Sequence, residues 1–194
     1  MKQTEIVYRE VLYQAIEKKN NNLTQAELSR TLNLSLSTVN NAIKHLENIG
    51  SININPRNFR VIDIKKILYF WASVRSLQKD ILYRTRIERP VIEIEKLMPN
   101  DIVFSAYSSY KFTFKDVPAD YSEVYIYGDE KIKERFPEKK GIPNLFVLKK
   151  DDLMDRYGKK TTIANTFVDL WNIKEWYAKE FLKEMEKKIN GFLE

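Results

Sequence analysis

A short run of polar side chains from Ser37 to Lys44 carries the clearest chemistry in the sequence. Asn40 and Asn41 each have a side-chain amide, whose donor and acceptor match the major-groove edge of adenine. Ser37 and Thr38 precede them, and hydroxyl groups near the start of a helix commonly bind phosphate. Lys44 adds a positive charge. Together on one helical face, these five residues would suit contact with duplex DNA.

The helix that must position these residues is predicted between Ser35, a favourable N-cap, and Gly50, a common helix terminator. Four apolar residues inside it have the i, i+3, i+4, i+7 spacing of a buried stripe, namely Val39, Ala42, Ile43 and Leu46. Because the polar residues fall outside this stripe, we expect them to face solvent.

Two further helices are predicted before this one. The first spans residues 4–19, where apolar residues recur at helical spacing. The second begins after Thr24, which forms a capping box with Glu27, and ends at Asn33 in a left-handed conformation. This second helix and the helix that begins after Ser35 are short, capped and joined by a tight turn, and together they predict a helix-turn-helix.

A basic hairpin is predicted immediately after the third helix. Residues 51–55 and 59–62 alternate polar and apolar side chains, as strands do, and Pro56 lies between them. Arg57 falls at the tip and Arg60 on the second strand. Such a hairpin is expected to rest on phosphates or to enter the minor groove.

The string LSLSTVNNAIKHLENIGSI, residues 34–52, resembles the winged helix-turn-helix regulators of bacteria and archaea. This resemblance implies sequence-specific binding to double-stranded DNA. The expected DNA-binding residues are Ser37, Thr38, Asn40, Asn41, Lys44, Arg57 and Arg60. The family often has a basic residue where Asn40 and Asn41 stand, which predicts modest affinity per monomer. The alternative is a winged helix that binds only protein.

Composition and charge agree with a nucleic-acid partner for the first half of the chain. Lys and Arg outnumber Asp and Glu by 8 to 5 in residues 1–62 and by 7 to 3 in residues 63–90, against 18 to 19 in residues 91–194.

The sequence lacks Cys and has one His, so it excludes disulfides, thiolate metal sites and multi-histidine metal centres. With no apolar run long enough to span a membrane, we expect a soluble, cytoplasmic protein.

The organisation that we predict is α+β, with a winged helix-turn-helix in residues 1–62, a connecting helix in 63–89 and an α/β domain in 90–194. The connecting helix is expected to start after Asp63 and to reach about Leu82. Its broad apolar face would pack on both domains or, alternatively, on a second copy. Because winged helices often bind two half-sites, we expect a homodimer.

The C-terminal part shows an alternation of strand and helix patterns. Strands are predicted at 122–128 and 145–150, and a structured run at 164–172. A helix is expected at 130–136, and a long amphipathic helix at 172–190 with Trp176 in its apolar stripe. Residues 91–98 fit a helix or a strand followed by a helix, and residues 102–114 fit a helix or a strand around a turn.

Residues 103–110 and 122–128 resemble a degenerate nucleotidyltransferase signature. In that family, a Gly-Ser pair holds the triphosphate and two aspartates hold Mg²⁺. Here Ser105 and Ala106 stand at the first pair, and Glu123 and Tyr125 at the second. Because Tyr cannot replace a metal carboxylate, we expect no catalysis, no metal and no cofactor.

The architecture and the string TFVDLWNIKEWYAKEFLKEM, residues 166–185, resemble AbiEi-type antitoxins and related archaeal regulators. That resemblance implies an autorepressor, possible binding of a toxin or other protein, and a role for Asp169, Trp171 and Trp176 in fixing the last helix. The leading hypothesis is a non-enzymatic, sequence-specific DNA-binding regulator. The alternatives are a nucleotidyltransferase directed to nucleic acid and a protein-binding scaffold.

Overall fold

The computed structural model describes residues 1–193 and the side chains of residues 1–191. It contains two compact units. The first comprises Met1–Arg75 and the end of the chain from Ile189, and the second comprises Ser76–Lys188. Both units combine helices with a small sheet, so the fold class is α+β, as predicted.

The first unit contains four helices and a three-stranded antiparallel sheet. Its elements are α1 (Gln3–Ile16), β1 (Asn22–Leu23), α2 (Gln25–Leu32), α3 (Leu36–Asn48), β2 (Ile52–Ile54), β3 (Phe59–Val61) and α4 (Ile64–Val74). The strand order is β1-β3-β2. Sequence patterns predicted every element except β1, whose two residues are too few to form a recognisable pattern.

Local capping determines where the helices of this unit begin and end. The Thr24 hydroxyl accepts a hydrogen bond from the Glu27 amide at 3.1 Å, and α2 ends at Asn33 with a φ of +50°. The Ser35 hydroxyl likewise accepts from the Thr38 amide at 3.1 Å, which starts α3. These caps satisfy amide groups that the first turn of a helix leaves unpaired, and each was predicted.

The core of the first unit forms where the apolar stripes of its helices meet. The predicted α3 stripe of Val39, Ala42, Ile43 and Leu46 is fully buried. On α4, Trp71 is also fully buried, and its indole nitrogen donates to the Glu5 carboxylate at 3.2 Å. Arg75 lies 3.5 Å from the same carboxylate. The main apolar face of α4 is therefore covered by this chain.

The predicted length of the connecting helix was wrong. The helix α4 ends at Val74, and a short 3-10 turn leads into strand β4 (Ile81–Thr85). Within β4, Tyr83 and Thr85 are buried whereas Leu82 and Arg84 are exposed, which is the two-residue alternation of a strand. Pairing with a distant strand overrides the helical spacing that the local sequence shows.

The second unit carries a four-stranded sheet with helices. After β4 it contains α5 (Val91–Lys96), β5 (Val103–Ser105), α6 (Ala106–Phe114), β6 (Val124–Gly128), α7 (Ile132–Arg135), β7 (Leu145–Lys149), α8 (Ile163–Trp171) and the greater part of α9 (Ala178–Leu193), whose end from Ile189 belongs to the first unit. The strand order is β4-β7-β6-β5, with β6 and β7 parallel and the other pairs antiparallel. The predicted strands at 122–128 and 145–150 are confirmed.

The predicted last helix begins later in the structure than in the sequence pattern. Helix α9 starts at Ala178, and Trp176 precedes it with 70% of its surface exposed. The assignment of Trp176 to the buried stripe was therefore wrong, whereas Phe181, Met185 and Ile189 are buried as expected. No helix within residues 1–193 is both long enough and apolar enough to cross a membrane.

Candidate nucleic-acid interface

Helix α3 separates its apolar and polar residues onto different faces. Four of the predicted contact residues, Ser37, Asn40, Asn41 and Lys44, are exposed, and Thr38 is half-buried. We call these five residues the polar face of α3. These five residues comprise two amides, two hydroxyls and one cation, and the exposed carboxylate of α3, Glu47, lies one turn beyond Lys44.

A cleft of about 1280 Å³ runs along the polar face of α3. All five residues of the polar face line it. The opposite wall is formed by residues 1–4 at the start of α1, among them Lys2, and by Gln25, the first residue of α2. The structure therefore brings five of the seven predicted contact residues to one continuous surface.

The hairpin of β2 and β3 supplies the other two predicted residues. Two hydrogen bonds between Asn55 and Asn58 close its turn. The backbone N–H of Asn55 donates to the backbone carbonyl of Asn58 at 2.8 Å, and the side-chain Nδ2 of Asn55 donates to Oδ1 of Asn58 at 2.9 Å. Arg57 is exposed at this closed tip. Arg60 is exposed on β3, so the two arginines project from a hairpin of fixed shape.

A second cleft, of about 290 Å³, connects the hairpin to α3. Arg57 lines it, together with Gln25 and Leu36, which also line the larger cleft. Arg60 lines neither cleft and occupies the outer face of the small sheet. The polar face and the hairpin tip thus form one surface, whereas Arg60, which pairs with Asn53, lies on the other face of the hairpin from Ile54 and Phe59 and is not brought to this surface.

The three predicted cations are not neutralised by the protein. Within the part of the chain that the structure describes, Lys44, Arg57 and Arg60 form no ion pair. A cation without an internal partner keeps its full charge for an anion in solution. Lys44 and Arg57 therefore make this surface suited to a polyanion.

Sequence reasoning missed several residues that line this surface, among them Lys2, Gln25 and Leu36. Gln25 follows the Thr24 N-cap, and its position at a helix start was a usable signal for contact with phosphate. Leu36 was harder to find because it lies three residues before buried Val39, next to the apolar stripe. It is nevertheless 57% exposed, since no element covers the first turn of α3.

The single histidine anchors α3 rather than contributing to the interface. His45 is half-buried, and its Nδ1 is hydrogen-bonded to the Tyr8 hydroxyl of α1 at 2.9 Å. Burial raises the pKa of Tyr8 to about 12. The pair therefore holds the two helices together on the side of α3 away from its polar face.

In the second unit, Ser105, one of the two positions that resemble a triphosphate site, is engaged in an internal network. Ser105 ends β5, and its hydroxyl donates to Asp169 Oδ2 at 2.7 Å. The same oxygen accepts from the Tyr127 hydroxyl at 2.7 Å and from the Asn165 amide at 2.8 Å. All four residues are fully buried. We call them the Asp169 network, and it joins β5 and β6 to α8.

The positions that would correspond to the metal-binding aspartates are Glu123 and Tyr125. The Glu123 carboxylate accepts a hydrogen bond from the Tyr177 hydroxyl, and burial raises the pKa of Glu123. The Tyr125 ring stacks on Phe146 at 4.6 Å between ring centroids. These two positions therefore supply one carboxylate and one packed aromatic ring.

Comparison with protein families gives a match over residues 12–52, to a family described as winged helix-turn-helix DNA-binding. The match starts in α1, covers α2 and α3, and ends at the first residue of β2. No match to the chain was found among curated proteins or among solved structures. The fold around residues 12–52 is accordingly a winged helix-turn-helix, and this part of the first unit is similar to a DNA-binding family. The resemblances noted for the second unit stay predictions.

Proposed function

We propose that this chain is a sequence-specific transcriptional regulator that binds double-stranded DNA through its first unit. The observation that carries the proposal is the exposed polar face of α3 beside a hairpin with unpaired cations. Helix α3 would lie in the major groove, with Asn40 and Asn41 against base edges. Ser37 and Thr38 would bind phosphate near the helix start.

The dimensions of the interface support this arrangement. Helix α3 has 13 residues and is therefore about 20 Å long. The major groove is about 12 Å wide and admits one α-helix. The hairpin tip adjoins the start of α3, so Arg57 falls on the backbone or in the minor groove beside it. Lys44 adds a further phosphate contact.

The proposal includes a homodimer on DNA. A single domain with few cationic contacts binds weakly at physiological salt, and a second half-site would raise the affinity. The dimer surface is not the buried side of α4, because Trp71 and its neighbours already pack inside this chain. Sedimentation of the protein with duplexes of one and two half-sites tests this point, and a single copy on the longer duplex would contradict it.

The finer proposal is an antitoxin-like autorepressor whose second unit binds a toxin or another effector. Its support is the resemblance of residues 166–185 to AbiEi-type endings. The test is binding to the DNA upstream of the chain's own gene, compared with unrelated duplexes of the same length. Equal affinity for both would contradict autorepression but would leave DNA binding intact.

We further propose that the second unit is not an enzyme. The support is chemical: Tyr125 replaces a carboxylate, and the Ser105 hydroxyl is committed to the Asp169 network. Incubation with labelled nucleotides and Mg²⁺ is expected to give no nucleotidyl transfer. Clear turnover would favour the alternative of a nucleotidyltransferase directed to nucleic acid.

The experiment that tests the function as a whole is selection of bound duplexes from a random pool. We expect enrichment of a defined motif, and binding of any duplex at low salt. Absence of binding to all duplexes at low salt would favour a scaffold that contacts only proteins. Binding without enrichment would contradict the sequence-specific part of the proposal.

A further inference from the structure

The residue types on the surface of α3 are unusual for a helix that lies in the major groove. Residues 36–44 contain neither Arg, which most often pairs with guanine, nor Asp or Glu, which accept from cytosine. They do contain Asn40 and Asn41, and asparagine pairs with the N6 and N7 of adenine. The two amides of this helix are thus directed at A·T pairs, whereas the hydroxyls of Ser37 and Thr38 discriminate little and Lys44, which could pair with guanine, is the last residue of the range.

An exposed leucine lies in line with the first of these amides. Leu36, Asn40 and Lys44 follow one another at intervals of four residues, so they form one row along the helix. Side chains at this spacing are about 5–6 Å apart, which is the distance between bases one or two steps apart. Leu36 is therefore placed to contact a base next to the one that Asn40 contacts.

The hairpin supplies a second apolar group at the same place. Ile54 on β2 is 44% exposed and lines the smaller cleft together with Leu36. Thymine is the base that presents an apolar group in the major groove, its 5-methyl. Ile54 continues the apolar surface of Leu36, and Leu36, which lies in the row with Asn40, is the side chain placed against the methyl of a thymine paired with adenine.

We infer that this interface selects A·T base pairs through the major groove, with Leu36 contacting the thymine methyl and Asn40 and Asn41 contacting adenine. The inference rests on the proposed DNA binding and adds the composition of the preferred site. Lys44, at the far end of the row, contacts phosphate and does not contribute to the selection.

Four alternating duplexes of equal length separate the possible modes of recognition. They are built from A·T, from A·U, from G·C and from I·C pairs, and affinities are measured for the full chain. A·U lacks the methyl of A·T and keeps its other groups. I·C has the major groove of G·C but lacks the minor-groove amine, so its minor groove resembles that of A·T.

We expect the A·T duplex to bind most tightly and the A·U duplex about fourfold more weakly for each methyl contacted. The I·C duplex should bind as weakly as G·C. The variant Leu36→Ala should bind A·T and A·U equally, because it lacks the apolar contact. The control Ile142→Ala, which truncates an aliphatic side chain that is 85% exposed in the second unit, should retain the difference.

Several results would overturn the inference. Equal binding of A·T and A·U by the unmodified chain would remove the methyl contact, and so would a difference that persists in Leu36→Ala. If I·C bound as tightly as A·T, the selection would lie in the minor groove. These results all require binding, so they differ from the failure of the proposed function, in which no duplex binds at low salt.

Discussion

Removing two cations from the proposed interface should change the salt dependence of DNA binding by a calculable amount. Lys44 lies on α3 and Arg57 at the hairpin tip, both are exposed, and neither has an ion-pair partner among the side chains of residues 1–191. Each phosphate contact contributes a slope of about −0.9 to the dependence of log affinity on log salt. The double variant Lys44→Ala/Arg57→Ala should therefore reduce the steepness of the slope by about 1.8.

The same relation gives the loss of affinity at a chosen salt concentration. At about 0.1 M salt, a lost contact weakens binding about eightfold, so the double variant should bind about 60-fold more weakly. Because phosphates carry no sequence information, the loss should be the same for every duplex. The assay is a fluorescence-anisotropy titration over a series of salt concentrations, with thermal unfolding to verify that the fold is retained.

A control separates local contact from net charge. Lys140→Ala removes an exposed cation from the second unit, and it should leave the slope unchanged. An unchanged slope in the double variant, or an equal change in the control, would refute the reasoning that the two cations touch phosphate.

Three further predictions concern base recognition, the Asp169 network and Glu123. Asn40→Ala and Asn41→Ala should alter the motif selected from a random pool, at about 1–3 kcal/mol of discrimination each, and an unchanged motif would count against base contacts. Asp169→Ala leaves buried donors without an acceptor, so chemical denaturation should show a loss of at least about 1–3 kcal/mol, and wild-type stability would contradict the network. Since burial raises the pKa of Glu123, its ionisation opposes folding, and stability is lost as the pH rises through that pKa. Glu123→Gln should therefore raise the melting temperature at pH 7 relative to wild type, and this gain should disappear near pH 4, whereas a gain independent of pH would contradict the assignment.

Much of the first unit could be predicted because its signals are local. A cap such as Thr24 or Ser35 is satisfied by an amide three residues away, so the sequence contains both partners of the bond. The buried stripe of α3 is likewise set by helical spacing. The position of the polar face of α3 can therefore be predicted without knowledge of any tertiary contact.

The features that could not be predicted from the sequence, or were predicted wrongly, depend on contacts between residues far apart in the chain. Strand β4 continues an apolar pattern of helical spacing, yet it pairs with β7, which lies at least 60 residues further along the chain. Exposure of Leu36 depends on the absence of any element over the first turn of α3. The Asp169 network joins residues separated by up to 64 positions, and no local pattern shows such a bond.

The central claim is that α3 and the hairpin tip contact duplex DNA. Titration of the ¹⁵N-labelled full chain with a selected duplex, followed by amide chemical shifts, tests it most directly. We predict that the largest shifts fall in residues 36–44 and 55–60 and that they diminish in Lys44→Ala/Arg57→Ala. Shifts confined to the second unit, or none at low salt, would contradict the account.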